Sequence, residues 1–192
     1  MGGLGIAFRR RTQYKKKVEK VEIEIYATLT LSGGAQMLLP DIFFRDNIVE
    51  CQMTFSGTQY SAVAGVDVVS ETAYRLAGVN NGSYKNFSNG KTSATQKFIS
   101  GSGPFVIRWQ QDGVYRDGVA AITEERTPRE WAIRLSLNGG RLYYLNVYDS
   151  TGTNLLHSLK PALLNKETPG LWDEINKKFY GMTSESGELT LA

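Results

Sequence analysis

The chain has 192 residues, of which 41% are hydrophobic, 21% charged and 11% aromatic, and its 22 Lys and Arg against 19 Asp and Glu leave a net charge of +3. That length suits one compact core rather than two large domains, and so small a surplus excludes a uniformly basic nucleic-acid binder and an acidic unfolded chain. One cysteine (Cys51) and one histidine (His157) exclude an internal disulfide and a multi-histidine metal site, and no apolar run reaches the roughly 20 residues of a membrane-spanning helix.

Residues 1–20 are the first unit. They hold Arg9, Arg10, Arg11, Lys15, Lys16, Lys17 and Lys20 against Glu19 alone, whereas the remainder of the chain has more acids than bases. The opening Met1–Phe8 is too glycine-rich to start a helix and too poor in apolar area to order itself. Gly2 invites an acylation reading, but Ile6 stands where that motif wants Ser or Thr. The N-terminus also lacks the apolar segment of a secretory signal. The expectation is a basic arm over 1–20 that gains order on a partner chain through Phe8, Arg9, Arg10, Arg11, Tyr14, Lys15, Lys16 and Lys17. Nucleic acid is not the expected partner, because only Phe8 and Tyr14 interleave aromatics with the basic residues.

From Val21 the pattern has period two. Val21, Ile23, Ile25, Ala27, Leu29 and Leu31 share one face, and Glu22, Glu24, Tyr26, Thr28 and Thr30 the other. Further strands are predicted at Ile48–Phe55, Ala62–Val69, Phe105–Gln110, Trp131–Leu137 and Arg141–Tyr148. Between them stand Ser32-Gly33-Gly34, Asn80-Asn81-Gly82, Asn89-Gly90, Asp112-Gly113, Asp117-Gly118, Asn138-Gly139-Gly140 and Ser150-Thr151-Gly152. Such pairs readily supply the positive φ of tight turns. No stretch keeps a helical period over three turns. Residues 21–192 are therefore expected to form one all-β, two-sheet antiparallel sandwich.

Candidate catalytic groups are few. Glycosidases flank the scissile bond with paired carboxylates, and the Glu-x-Asp-x-x-Glu pattern is absent. Glu22 and Glu24 share a face but read as a solvated strand edge. Cys51 alternates with Val49, Met53 and Phe55 and is expected to be a small buried hydrophobe. His157 is expected to be a hydrogen-bonded structural histidine. No nucleophile elbow, phosphate loop or zinc spacing occurs, so no enzyme is expected.

The last third carries a resemblance. Gly139-Gly140-Arg141-Leu142-Tyr143-Tyr144-Leu145-Asn146-Val147-Tyr148-Asp149 leads to Leu155-Leu156-His157-Ser158-Leu159-Lys160-Pro161-Ala162, then Gly170-Leu171-Trp172-Asp173-Glu174-Ile175-Asn176-Lys177-Lys178-Phe179-Tyr180. This resembles the ending of concanavalin/laminin-G-like jelly-roll modules in structural proteins of tailed bacteriophages and prophages. Their pattern is a strand near "RIYSFKIYD", a "DFIPC" strand, "GLYDxVNxKFY" and a small-residue tail. Here Trp172 replaces the usual Tyr, Ala162 stands near the usual Cys, and Gly187-Glu188-Leu189 replaces an aromatic tail.

The resemblance implies a jelly-roll fold and a non-enzymatic virion protein of capsid or tail. It would be present in many copies or as a homo-oligomer, with other virion proteins as partners of the arm and no membrane. Leu171, Trp172, Asp173, Phe179 and Tyr180 are expected to act structurally, as a hairpin whose aromatics cap the sandwich. The alternative is a lectin-like module that binds a host-surface glycan. Lectin relatives use exposed aromatics and loop amides, sometimes with calcium on oxygen ligands, the one cofactor this leaves open. The candidates are Tyr74, Asn80, Asn81, Tyr84, Asn86 and Phe87, around a polar, loop-rich stretch over residues 80–97.

Overall fold

A computed structural model describes residues 21–54, 62–63, 77–80, 84–87, 96–99, 103–123, 125–126, 132–137 and 139–192. These residues form strands and turns, with no helix among them. The strands are β1 (Ile23–Ile25), β2 (Leu29–Ser32), β3 (Met37–Phe43), β4 (Ile48–Met53), β5 (Ala62–Val63) and β6 (Ala77–Asn80). Next come β7 (Tyr84–Phe87), β8 (Gln96–Ile99), β9 (Phe105–Gln110), β10 (Gly113–Arg116), β11 (Val119–Ile122) and β12 (Ala132–Ser136). The chain closes with β13 (Arg141–Tyr148), β14 (Leu155–Leu164), β15 (Thr168–Asp173), β16 (Lys178–Tyr180) and β17 (Glu188–Leu191).

Two antiparallel sheets result. The larger runs β11-β10-β9-β4-β13-β14-β15-β16, with β1 beside β14, β2 beside β13, and β17 on β2; the smaller runs β3-β12-β5-β6-β7-β8. Alternation decides which residues they bury. On β9 Phe105, Ile107 and Trp109 point inward, and on β13 Leu142, Leu145 and Val147 do the same. They meet Met37 and Leu39 of β3 and Ile133 and Leu135 of β12 in one hydrophobic cluster. An all-β chain with its core shared by two sheets is consistent with a β-sandwich. Cys51 sits in that core with no exposed surface, as expected.

The single long strand predicted from Val21 to Leu31 is interrupted. It breaks between Ile25 and Leu29, and Val21 and Ile25 are exposed. The reason is a change of neighbour: Ile25 pairs with Ala162 of β14, whereas Leu29 pairs with Leu142 of β13 and Leu191 of β17. At the break the Tyr26 N–H donates to the Pro161 carbonyl at 2.8 Å. Alternation in the sequence marks both halves but not the switch between them.

Parts of the stretch over residues 80–97 are paired strand. β6, β7 and β8 form successive antiparallel pairs there, with Asn80 opposite Tyr84 and Tyr84 opposite Ile99. Asn80 ends β6 and pairs with Tyr84, the first residue of β7. Among the described residues, no helix is long and apolar enough to cross a membrane.

Candidate functional site

The Gly170–Tyr180 motif folds as a hairpin. Leu171 pairs with Tyr180, Trp172 with Phe179 and Asp173 with Lys178. Leu171 and Tyr180 point into the core, and Trp172 and Phe179 are half-buried on the opposite face. Gly170 permits the tight fit, because a Cβ there would collide with the Tyr180 carbonyl and the Phe179 ring.

Asp173 is fully buried and organises the turn. Its Oδ1 accepts from the N–H groups of Ser158, Ile175 and Asn176 at 3.2, 3.0 and 3.3 Å. Its Oδ2 lies 2.7 Å from His157 Nδ1 and accepts from Asn176 Nδ2 at 2.8 Å. The same Asn176 amide donates to the Leu156 carbonyl at 2.8 Å, which fastens the turn to β14. Burial acts to raise the Asp173 pKa, but the bonds from Asn176, His157, Ser158 and Ile175 outweigh it and hold the carboxyl below its ordinary value. His157 is therefore a hydrogen-bonded structural residue, as expected.

A second pair of contacts joins the hairpin to the smaller sheet. Tyr180 donates its hydroxyl to Asp41 Oδ1 of β3 at 2.9 Å, and Lys178 Nζ reaches Asp41 Oδ2 at 2.6 Å. Burial first, and then the Asp41 carboxylate, push the Tyr180 pKa up. The Asp41 carboxyl is held low: burial opposes this, and Lys178 and Tyr180 overcome it.

The outer face of the larger sheet carries the other concentration of functional groups. Tyr115 lies opposite Arg108, Arg108 opposite Glu50, Glu50 opposite Asn146, and Asn146 opposite Ser158, one row across five strands. Arg108 donates to Glu50 at 2.9 Å, and its guanidinium lies 5.0 Å from the centre of the Tyr148 ring. Ser158 donates to Glu174 at 3.5 Å, which extends the row to the first residue of the turn after β15.

A parallel row is mostly aromatic. Gln52 lies opposite Tyr144, the Lys160 ammonium sits 5.6 Å from the centre of the Tyr144 ring, and Lys160 lies opposite Trp172, itself opposite Phe179. Burial, and secondarily Glu50, push the Tyr144 pKa to about 12, so its hydroxyl stays protonated at neutral pH. The Asn146 side-chain oxygen is shut off from solvent without a hydrogen-bond partner.

The loop after β13 flanks this face. Asp149 accepts from Thr151 Oγ1 at 2.8 Å and from the Thr153 N–H at 3.0 Å, and it also binds the Asn154 amide. Thr151 and Asn154 are the main causes that lower its pKa to about 2. Among the described residues, no group of three or more His, Cys, Asp or Glu is placed to hold a metal ion.

Asn80, Tyr84, Asn86 and Phe87 stand on the paired strands β6 and β7, whereas Tyr74 and Asn81 lie outside the described residues. So do Phe8, Arg9, Arg10, Arg11, Tyr14, Lys15, Lys16 and Lys17. Sequence reasoning missed the outer face. Tyr144, Asn146 and Tyr148 alternate visibly with Leu145 and Val147, but their alignment with Glu50, Arg108 and Ser158 depends on strand register. No protein-family model, curated protein or solved structure matches the chain.

Proposed function

We propose that the chain is a non-enzymatic structural protein of a bacteriophage particle. In this reading a jelly-roll module of the concanavalin/laminin-G-like kind is fixed to capsid or tail by its basic segment 1–20. The sandwich then projects to decorate, stabilise or touch the host surface. The observation that carries the reading is the use made of the motif behind the resemblance. Asp173 is spent on three backbone N–H groups, His157 and Asn176, and Tyr180 and Lys178 are spent on Asp41. A motif devoted to closing a fold is what a scaffold needs, and it leaves the basic segment to supply attachment. A short segment of that kind gains affinity from main-chain and Lys/Arg contacts once a partner orders it.

The test is deletion of residues 1–20. The expected product is a folded domain that is lost from assembled particles, read by mass spectrometry of purified particles. Undiminished incorporation would remove the tether from the account.

A second reading, a carbohydrate-binding module, is favoured by one specific observation. Tyr144, Trp172 and Phe179 are all only partly buried on the outward side of a sheet, where an antiparallel sheet ordinarily presents small polar and charged residues.

A further inference from the structure

This inference rests on the carbohydrate-binding reading and gives it a place and a ligand class. We propose that the outer face of the larger sheet is a track for a neutral polysaccharide laid across the strands, its sugar rings on Tyr144, Trp172 and Phe179 and its hydroxyls along Asn146 and Glu174.

Three observations carry it. First, register places the two rows side by side. Asn146 and Ser158 are opposite one another, as are Trp172 and Phe179, and all alternate with the inward-facing Leu145, Leu159, Leu171 and Tyr180. Adjacent strands lie about 4.8 Å apart, so aromatic faces and hydrogen-bonding groups recur together at sugar-like intervals across the sheet.

Second, the charges cancel. Arg108 is paired with Glu50, and the other two charged residues of the two rows, Lys160 and Glu174, are of opposite sign. With no surplus of either sign along these rows, they suit neither nucleic acid nor an acidic polymer, both of which need uncompensated cations. It suits a ligand rich in hydroxyls and free of charge, with apolar C–H faces to lay on rings.

Third, the middle of the polar row contains an unmet acceptor. Asn146 Oδ1 has no partner, whereas the flanking Glu50 is occupied by Arg108 and Tyr144. Buried acceptors are rarely left unpaired, and a ligand hydroxyl satisfies this one only once the neighbours that close it off from solvent turn aside.

The test uses the full chain on an array of neutral and acidic glycans, followed by calorimetric titration of the best ligand against Trp172→Ala, Trp172→Phe and Glu174→Ala. The expected result is binding to a neutral glycan, weakened about tenfold by Trp172→Ala and largely kept by Trp172→Phe. Thermal melting checks that each variant folds. If Trp172→Ala does not fold, the exposed Glu174→Ala carries the test, with a loss of a few-fold expected. Neutral-glycan binding untouched by these changes would overturn the location and leave the carbohydrate reading standing. Binding of acidic glycans alone, abolished by salt, would overturn the ligand class. No binding to any glycan would overturn both the inference and the reading beneath it.

Discussion

Tyr180 and Asp41 join the two sheets. The phenol on β16 donates to the carboxylate on β3 at 2.9 Å while its ring packs into the common core. The last hairpin of the larger sheet is thereby fastened to the first strand of the smaller one. Replacing Tyr180 by Phe keeps the ring and removes the donor. The expected loss in urea unfolding is about 1 kcal/mol, because Asp41 retains Lys178 and water. A loss no larger than that of an exposed conservative change would mean that the contact does not hold the sheets together.

Acid should weaken the same corner. Asp41 and Asp173 are both held below their ordinary values, so they bind protons less readily in the folded chain than in the unfolded one. Their contribution is complete above about pH 4, the unfolded carboxylate value, and is lost as pH falls through their lower folded values. Melting temperature should therefore drop below about pH 4, and Asp173→Asn should flatten that drop while lowering stability at pH 7.

Asp173→Ala tests the turn more severely. It strips partners from the N–H groups of Ser158, Ile175 and Asn176 and from His157, and an expected cost of about 3 kcal/mol follows. Asn176→Ala should cost less, about 1 kcal/mol, since it removes donors from one side chain only. Equal costs would contradict the central role given to Asp173.

Gly170→Ala introduces a methyl group against the Tyr180 carbonyl and the Phe179 ring. The ring can turn aside, but the carbonyl belongs to the strand ladder, so a cost of about 3 kcal/mol is expected. Chemical denaturation measures it, and a neutral outcome would show that β15 and β16 separate easily.

Cys51 offers a probe of the core. It is fully buried, and that burial, with Glu50 nearby, pushes its thiol pKa well above the ordinary value. A thiol reagent at pH 8 should label the native chain only at the rate of unfolding and the denatured chain at once. Rapid native labelling would mean that β4 opens readily.

The sequence made the centre of the fold legible where burial is one-sided. β9 has the predicted bounds, with Phe105, Ile107 and Trp109 inward, and β13 likewise spans Arg141–Tyr148. β14 was legible through the resemblance, as its "DFIPC" strand, and not from periodicity, because Leu155–Leu164 lacks clean alternation and contains Pro161. Pro161 is tolerated where the neighbour of β14 changes from β13, paired at Leu159, to β1, paired at Ala162. A missing N–H costs little at such a gap. β10 and β11 were hidden behind two Asp-Gly turns. The second is the hairpin tip, with Asp117 and Gly118 at φ of 49° and 81°.

The closing motif was legible as a hairpin, and Tyr180 as a packing residue, whereas Trp172 and Phe179 stand half-buried on the outer face instead of capping the core. Sequence did not reveal that Asp173 is the hub, since its partners Ser158 and His157 come from another strand. The outer face escaped for the same reason. Its rows are assembled across strands by register, and no local spacing announces them.

The tether is tested most directly by cross-linking mass spectrometry on particles that contain the full chain, using an amine-reactive reagent that reaches Lys15, Lys16 and Lys17. The expected result is cross-links from these lysines to a different particle protein, absent when the purified chain is treated alone. Cross-links confined to the chain's own sandwich, identical in particles and in isolation, would contradict it.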